Sequence, residues 1–165
     1  VRGRRCDLAW RVLDAQYWSK PKLAHRERIF VVADFCKQVA EIEKGVKEPV
    51  MYVGNLSAKR DFTDVRDVVR AYALLVQKGK AGETYNIGTG HALAIQEILD
   101  RIISLSDKEI EVRVDAEKLR PVDVPIIEPD ISKVHDCTGW KPQIPLEQTL
   151  RETLDYWRVQ DLCQK

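Results

Sequence analysis

Long apolar runs are missing from this 165-residue chain. No stretch approaches the roughly 20 residues that would cross a bilayer, and the N-terminus holds no uninterrupted apolar segment of the secretory kind. Its four cysteines (Cys6, Cys36, Cys137, Cys163) lie far apart with no CxxC pair. Neither a zinc site nor a disulfide framework is therefore expected, and a reducing cytoplasm is the default compartment. Net charge is nearly absent: 27 Lys/Arg against 26 Asp/Glu leave +1, which excludes a nucleic-acid-binding surface spread over the whole chain. Eight glycines occur, but never as GxGxxG or GxxGxxG, and no tyrosine is followed by a lysine four residues on. There is no internal repeat and no low-complexity linker.

What is present is the composition of a soluble globular protein, 44% hydrophobic and 32% charged. Folded compactly, a chain of this length buries about 68–70% of its unfolded surface. The charge is uneven. Residues 1–28 carry eight Lys/Arg against three Asp/Glu, a balance of +5 that leaves −4 on the remainder. This opening stretch holds Trp10, Tyr17 and Trp18 with little periodicity. It reads as a basic arm for an acidic partner, as a poorly ordered terminus, or as a stretch that packs in a way its pattern does not define.

From Ile29 onward the pattern is regular. Val32, Phe35, Cys36, Val39 and Ile42 share one helical face, which Gly45 terminates. Val50–Val53 predicts a strand. Val65, Val68, Val69, Tyr72, Leu75 and Val76 mark a second helix closed by Gly79 and Gly82. Thr84–Ile87 predicts a short strand before Gly88-Thr89-Gly90. Ile95, Ile98, Leu99, Ile102 and Ile103 make a third helix, and Ile110–Val114 alternates as a half-exposed strand. Three prolines between Leu119 and Pro129 predict an extended loop. A short helix from Ser132 to about Thr138 leads to Gly139-Trp140. Pro145 then opens a last helix with Leu146, Leu150, Leu154 and Trp157 facing inward. The order of elements is that of a mixed α/β or α+β fold. Cys36, Trp140 and Trp157 read as core, and His25, His91 and His135 as surface.

The segment Tyr52–Asp67, YVGNLSAKRDFTDVRD, concentrates the chemistry. Gly54-Asn55 favours a turn, Lys59 and Arg60 follow, and Thr63 or Asp64 caps the next helix. Two cations beside a helix N-terminus would hold an anion such as a diphosphate. The competing reading is a solvated turn, with Arg60 in a salt bridge to Asp64 or Asp67 and those two carboxylates serving the helix dipole rather than acting as a catalytic pair.

These segments resemble a known family. FVVADFCKQVAEIEKG (30–45), VGNLSAKRDFTDVRDVVRAY (53–72), YNIGTG (85–90), LRPVDVP (119–125) and TGWKPQIPLEQTLRETLDYW (138–157) occur in the order of the C-terminal part of extended short-chain dehydrogenase/reductases. These are the sugar-nucleotide epimerases and dehydratases, and the match is strongest to GDP-mannose 4,6-dehydratases and GDP-4-keto-6-deoxymannose reductases; DVP after LRP leans toward the latter. The resemblance covers about residues 29–158. It implies a substrate-binding lobe with a few strands and about five helices, spanning 29–165, behind a divergent basic segment 1–28. It also implies that Arg60 reaches the nucleotide diphosphate and that Arg120 and Asp123 hold the diphosphate and nucleoside, with Asn55 and Lys59 as lesser candidates. A guanidinium fork meets phosphate oxygens in a bidentate way that an ammonium cannot.

The family's NAD(P) site and its YxxxK catalytic pair have no counterpart in these residues, so no cofactor and no catalytic residue is assigned, and the chain alone is expected to lack hydride chemistry. Three functions follow as alternatives: a truncated binding lobe for a GDP-mannose-type nucleotide sugar, a subunit of a split enzyme completed by a partner bearing the nucleotide-binding lobe, or an interaction module with an idle site. The apolar faces at Val65–Val76 and Thr84–Ile87 lean on the nucleotide-binding sheet in the family. Uncovered, they predict a homo-oligomer, a partner chain, or burial under the N-terminal stretch.

Overall fold

A computed structural model of the chain describes residues 30–118 and 124–160. The basic segment 1–28, Arg120 and Asp123 lie outside the described residues.

The larger core is built by three helices on a parallel strand pair. Helix α1 (Val31–Glu43) buries Phe35, Cys36, Val39, Ala40 and Ile42, and Gly45 follows its end at φ 70°, a left-handed turn that glycine adopts without strain. Strand β1 (Val50–Val53) buries Met51 and Val53 while Tyr52 faces out. The same core takes Ile98, Leu99 and Ile102 from helix α3 (Ile95–Ile103) and Leu150 and Leu154 from the last helix, α5 (Leu146–Val159). Each such fully buried aliphatic side chain contributes about 1.5–3 kcal/mol. Strand β4 (Glu111–Val114) lies parallel to β1, with Val53 opposite Val114.

A second core joins helix α2 (Val65–Lys78) to the short helix α4 (Ser132–Thr138) through Ala71, Leu75, Val134, Trp140 and Tyr85. The Trp140 indole N–H donates to the backbone carbonyl of Asp67 at 2.9 Å, so the ring is buried with its polar atom satisfied. The remaining strands form a three-stranded sheet. Its centre is β2 (Lys59–Asp61), with β3 (Ala92–Ala94) antiparallel on one side and β5 (Ile126–Ile127) parallel on the other.

The strand expected at Thr84–Ile87 does not form. Its burial alternates as a strand's would, with Tyr85 buried and Asn86 exposed, but its backbone joins no ladder among the described residues. The hydrophobic stripe of α2 also divides: Val68, Ala71 and Leu75 are buried, whereas Val69 and Val76 are 57% and 75% exposed. The loop expected after Leu119 contains the short strand β5, and Pro145 sits one residue before α5 as its N-cap rather than inside it.

Candidate functional site

Strand β2 places the basic pair. Lys-Arg-Asp has no strand signature, and pairing on both sides makes it one. The Lys59 N–H donates to the Pro125 carbonyl at 2.7 Å, while Arg60 faces Leu93 on β3 and Ile127 on β5. The Arg60 guanidinium donates from one nitrogen to the carbonyls of Val124 (2.7 Å) and Lys59 (2.8 Å). Val124 directly follows Asp123, so Arg60 reaches the end of the LRPVDVP segment, 64 residues away in sequence. Lys59 is exposed. Asn55 caps its own turn, its side-chain carbonyl accepting from the Ser57 N–H at 3.0 Å and the Ser57 hydroxyl at 2.8 Å.

The anion-attracting helix end expected beside Arg60 is already filled. Asp64 is the N-cap of α2 and accepts from the Arg66 N–H at 2.8 Å. Its carboxylate also takes the Arg66 side chain and the Thr149 hydroxyl at 2.7 Å. Asp67 accepts the N–H groups of Gln143 (2.8 Å) and Ile144 (2.9 Å) as well as Arg70. Burial alone would raise both carboxyls, but these hydrogen bonds and the two arginine charges outweigh it and hold both below the usual range. The pair expected for Arg60 is therefore replaced: Asp64 pairs with Arg66 and Asp67 with Arg70. Both acids fasten α2 to α5 and to the loop before it.

Three features went unseen in the sequence. Lys118 donates to the Tyr52 carbonyl at 2.7 Å and stands 3.8 Å from Asp34 in the first turn of α1. Burial pushes the Asp34 carboxyl up despite the nearby Lys118, the Gln38 amide bonded to it at 2.9 Å, and Lys47. Asp61 fills the Gly88-Thr89-Gly90 loop, accepting from the Thr89 N–H (2.8 Å), the Gly90 N–H (2.7 Å) and the Thr89 hydroxyl (2.9 Å). A lone aspartate 28 residues before the threonine of a Gly-Thr-Gly gives no local signal of that pairing. An open depression of about 430 Å³ runs past Gly90, His91, Glu128 and Asp130. Its carboxylates serve backbone donors, Glu128 that of Ala92 and Asp130 that of Ser132, and no cluster of metal-ligating side chains occurs among the described residues.

Residues 20–153 match the family model for GDP-mannose 4,6 dehydratase. The chain is 32% identical over 148 residues to the GDP-6-deoxy-D-mannose reductase of Pseudomonas aeruginosa, covering 90% of this chain and 48% of that protein. It is 30% identical over 129 residues to GDP-mannose 4,6 dehydratase 2 of Arabidopsis thaliana, covering 76% and 34% respectively. Among solved structures, that of RMD from Pseudomonas aeruginosa complexed with NADPH matches with a TM-score of 0.73 at 33% identity, over 78% of this chain and 42% of the other. The UDP-glucose 4-epimerase of Thermotoga maritima with UDP-glucose matches with a TM-score of 0.61 at 32% identity, over 78% and 39%. The chain thus spans about half the length of the reductase and about a third of the plant dehydratase.

Proposed function

The chain belongs to the GDP-mannose 4,6 dehydratase family, and from that premise we propose that its lobe binds a GDP-mannose-type nucleotide sugar, with Arg60 on the diphosphate. The observation that supports this reading is the hydrogen bond from Arg60 to the carbonyl of Val124, a residue of the LRPVDVP segment. In this reading Arg120 completes the phosphate clamp, Asp123 accepts from the nucleoside, and Asn55 and Lys59 line the edge. A guanidinium already folded against carbonyl oxygens exchanges neutral acceptors for charged phosphate oxygens, a gain in hydrogen-bond strength. No catalytic residue and no NAD(P) site is assigned to this chain. The reading is tested by calorimetric titration with GDP-mannose, using UDP-glucose as the control. Arg60→Ala and Arg120→Ala should each weaken GDP-mannose binding about 10- to 100-fold, the worth of a hydrogen bond to a charged group. Unchanged affinity in both variants would dismiss the site.

A second reading is favoured by the region around Thr84–Ile87: the lobe works with a nucleotide-binding lobe on another polypeptide. The main chain of Tyr85, Asn86 and Ile87 makes no backbone–backbone hydrogen bond among the described residues, and the exposed Val69 and Val76 flank the same core. Such an edge pairs readily with an added strand. Without that partner the same surface drives self-association. Mixing the chain with a lobe carrying GxxGxxG and YxxxK tests the reading: NADPH oxidation present only in the mixture supports it, and none in the mixture rejects it.

A further inference from the structure

Asp61 is adjacent to Arg60 on β2, and its side chain accepts hydrogen bonds from four donor groups. Besides the Thr89 N–H, Gly90 N–H and Thr89 hydroxyl, it accepts from the Thr63 hydroxyl at 3.2 Å. Two of these partners are backbone N–H groups that can only donate, and the Thr89 N–H reaches both Asp61 oxygens (3.0 and 2.8 Å), so an amide in place of the carboxylate would turn an N–H of its own toward it. The loop is shaped for this guest. A Cβ on Gly88 would stand 2.8 Å from an Asp61 oxygen and 2.4 Å from the Pro129 ring, and Gly90 sits at φ 77°. The Gly-Thr-Gly loop is therefore occupied by a carboxylate of the protein itself.

This lock has a consequence for its neighbour. Strand β2 is only three residues long, and its flanking strand β5 only two, so ladder hydrogen bonds alone hold it weakly. Asp61 pairs through its main chain with Ala92 and through its side chain with the next loop, fixing the strand end twice. Side chains alternate along a strand, so a fixed Asp61 sets the direction in which Arg60 leaves the opposite face.

We propose that Asp61 is a positioning residue: the carboxylate held by the Thr89–Gly90 amides orients β2 so that Arg60 presents its guanidinium to a diphosphate. This rests on the phosphate reading of Arg60. The experiment is a double-mutant cycle in GDP affinity, by calorimetry, over the wild-type chain, Arg60→Ala, Asp61→Asn and the double variant, each first shown to be folded by circular dichroism. Asp61→Asn should weaken GDP binding about ten-fold. In the Arg60→Ala background the same change should have almost no effect, because the group it positions is gone. The salt dependence of GDP binding in Asp61→Asn should become as shallow as in Arg60→Ala, a change that general loosening of the fold does not produce. Equal losses in both backgrounds, or no loss at all, would overturn the positioning role while leaving Arg60 on the phosphate. Unchanged affinity in Arg60→Ala would overturn the phosphate reading and the positioning role together. If Asp61→Asn does not fold, Thr89→Val carries the same cycle by deleting one donor, with a smaller loss expected in the wild-type background alone.

Discussion

At the scale of single residues, the structure separates carboxylates that support the fold from one that opposes it. Asp67 is buried and accepts two backbone N–H groups and Arg70. Asp67→Ala strands these donors, and a loss of about 2–3 kcal/mol is expected in urea unfolding. Asp64 and Asp67 both titrate below the ordinary value of 3.8, so their contribution is complete above that pH and disappears as pH falls through their folded-state values. Unfolding free energy measured from pH 7 to pH 2.5 should therefore fall below about pH 4, and less steeply in Asp67→Asn. Asp34 has the opposite sign. Burial raises its pKa, so its ionised form is disfavoured by folding and that cost is relieved as pH falls. Asp34→Asn should raise the melting temperature at pH 7 and leave it unchanged well below the carboxyl's range; a drop at pH 7 would mean that its ties to Lys118 and Gln38 outweigh burial. Cys36 is equally readable. Burial pushes its thiol up to about 12, so it should resist alkylation at pH 8 while half-buried Cys137 reacts, as peptide mass mapping would resolve.

At the scale of elements, what is legible in the sequence follows from how each element is stabilised. Helices α1, α2, α3 and α5 announce themselves because one face must be apolar at helical spacing, and Asp64 and Gly45 mark a start and a stop for local chemical reasons. Strands β2, β3 and β5 leave no such mark. Lys-Arg-Asp and Ala-Leu-Ala become strands through partners more than thirty residues away, and two isoleucines are too few to show a period. Thr84–Ile87 misleads for the complementary reason. Alternation records which side of a segment is buried, not whether its backbone has a partner. The site is legible in the same uneven way: Arg60 stands out by charge and motif, whereas the Asp61 lock needs two segments brought together in space. Two glycines separate the local contribution from the tertiary one. Gly139 closes α4 at φ 75°, and a Cβ added there would meet nothing within 4 Å. Gly139→Ala should therefore cost only the left-handed backbone penalty, about 1–2 kcal/mol. Gly88→Ala must displace Pro129 and Asp61. It should also weaken GDP binding if Asp61 orients Arg60, whereas Gly139→Ala should leave GDP binding unchanged.

At the scale of the whole molecule, the two cores are unequally closed. The core of α1, α3 and α5 is covered by the β1–β4 pair and by the helices themselves. The core of α2 and α4 is smaller, and beside it lie exposed Val69 and Val76 and residues 85–87, whose main chain joins no ladder among the described residues. Amide exchange should read this difference directly. Protection depends on a hydrogen bond that must open, and a buried side chain does not supply one. Met51 and Val53, in the β1–β4 pair, should exchange slowly. Tyr85 should exchange at nearly the rate of an unstructured peptide although its ring is buried. If a nucleotide-binding lobe completes the protein by pairing with this segment, adding that lobe should slow Tyr85 and Ile87 by orders of magnitude while leaving Met51 unchanged. Slow exchange at Tyr85 in the dilute chain alone would mean that another part of the same chain already pairs with it. Protection that grows with protein concentration would assign the pairing to a second copy.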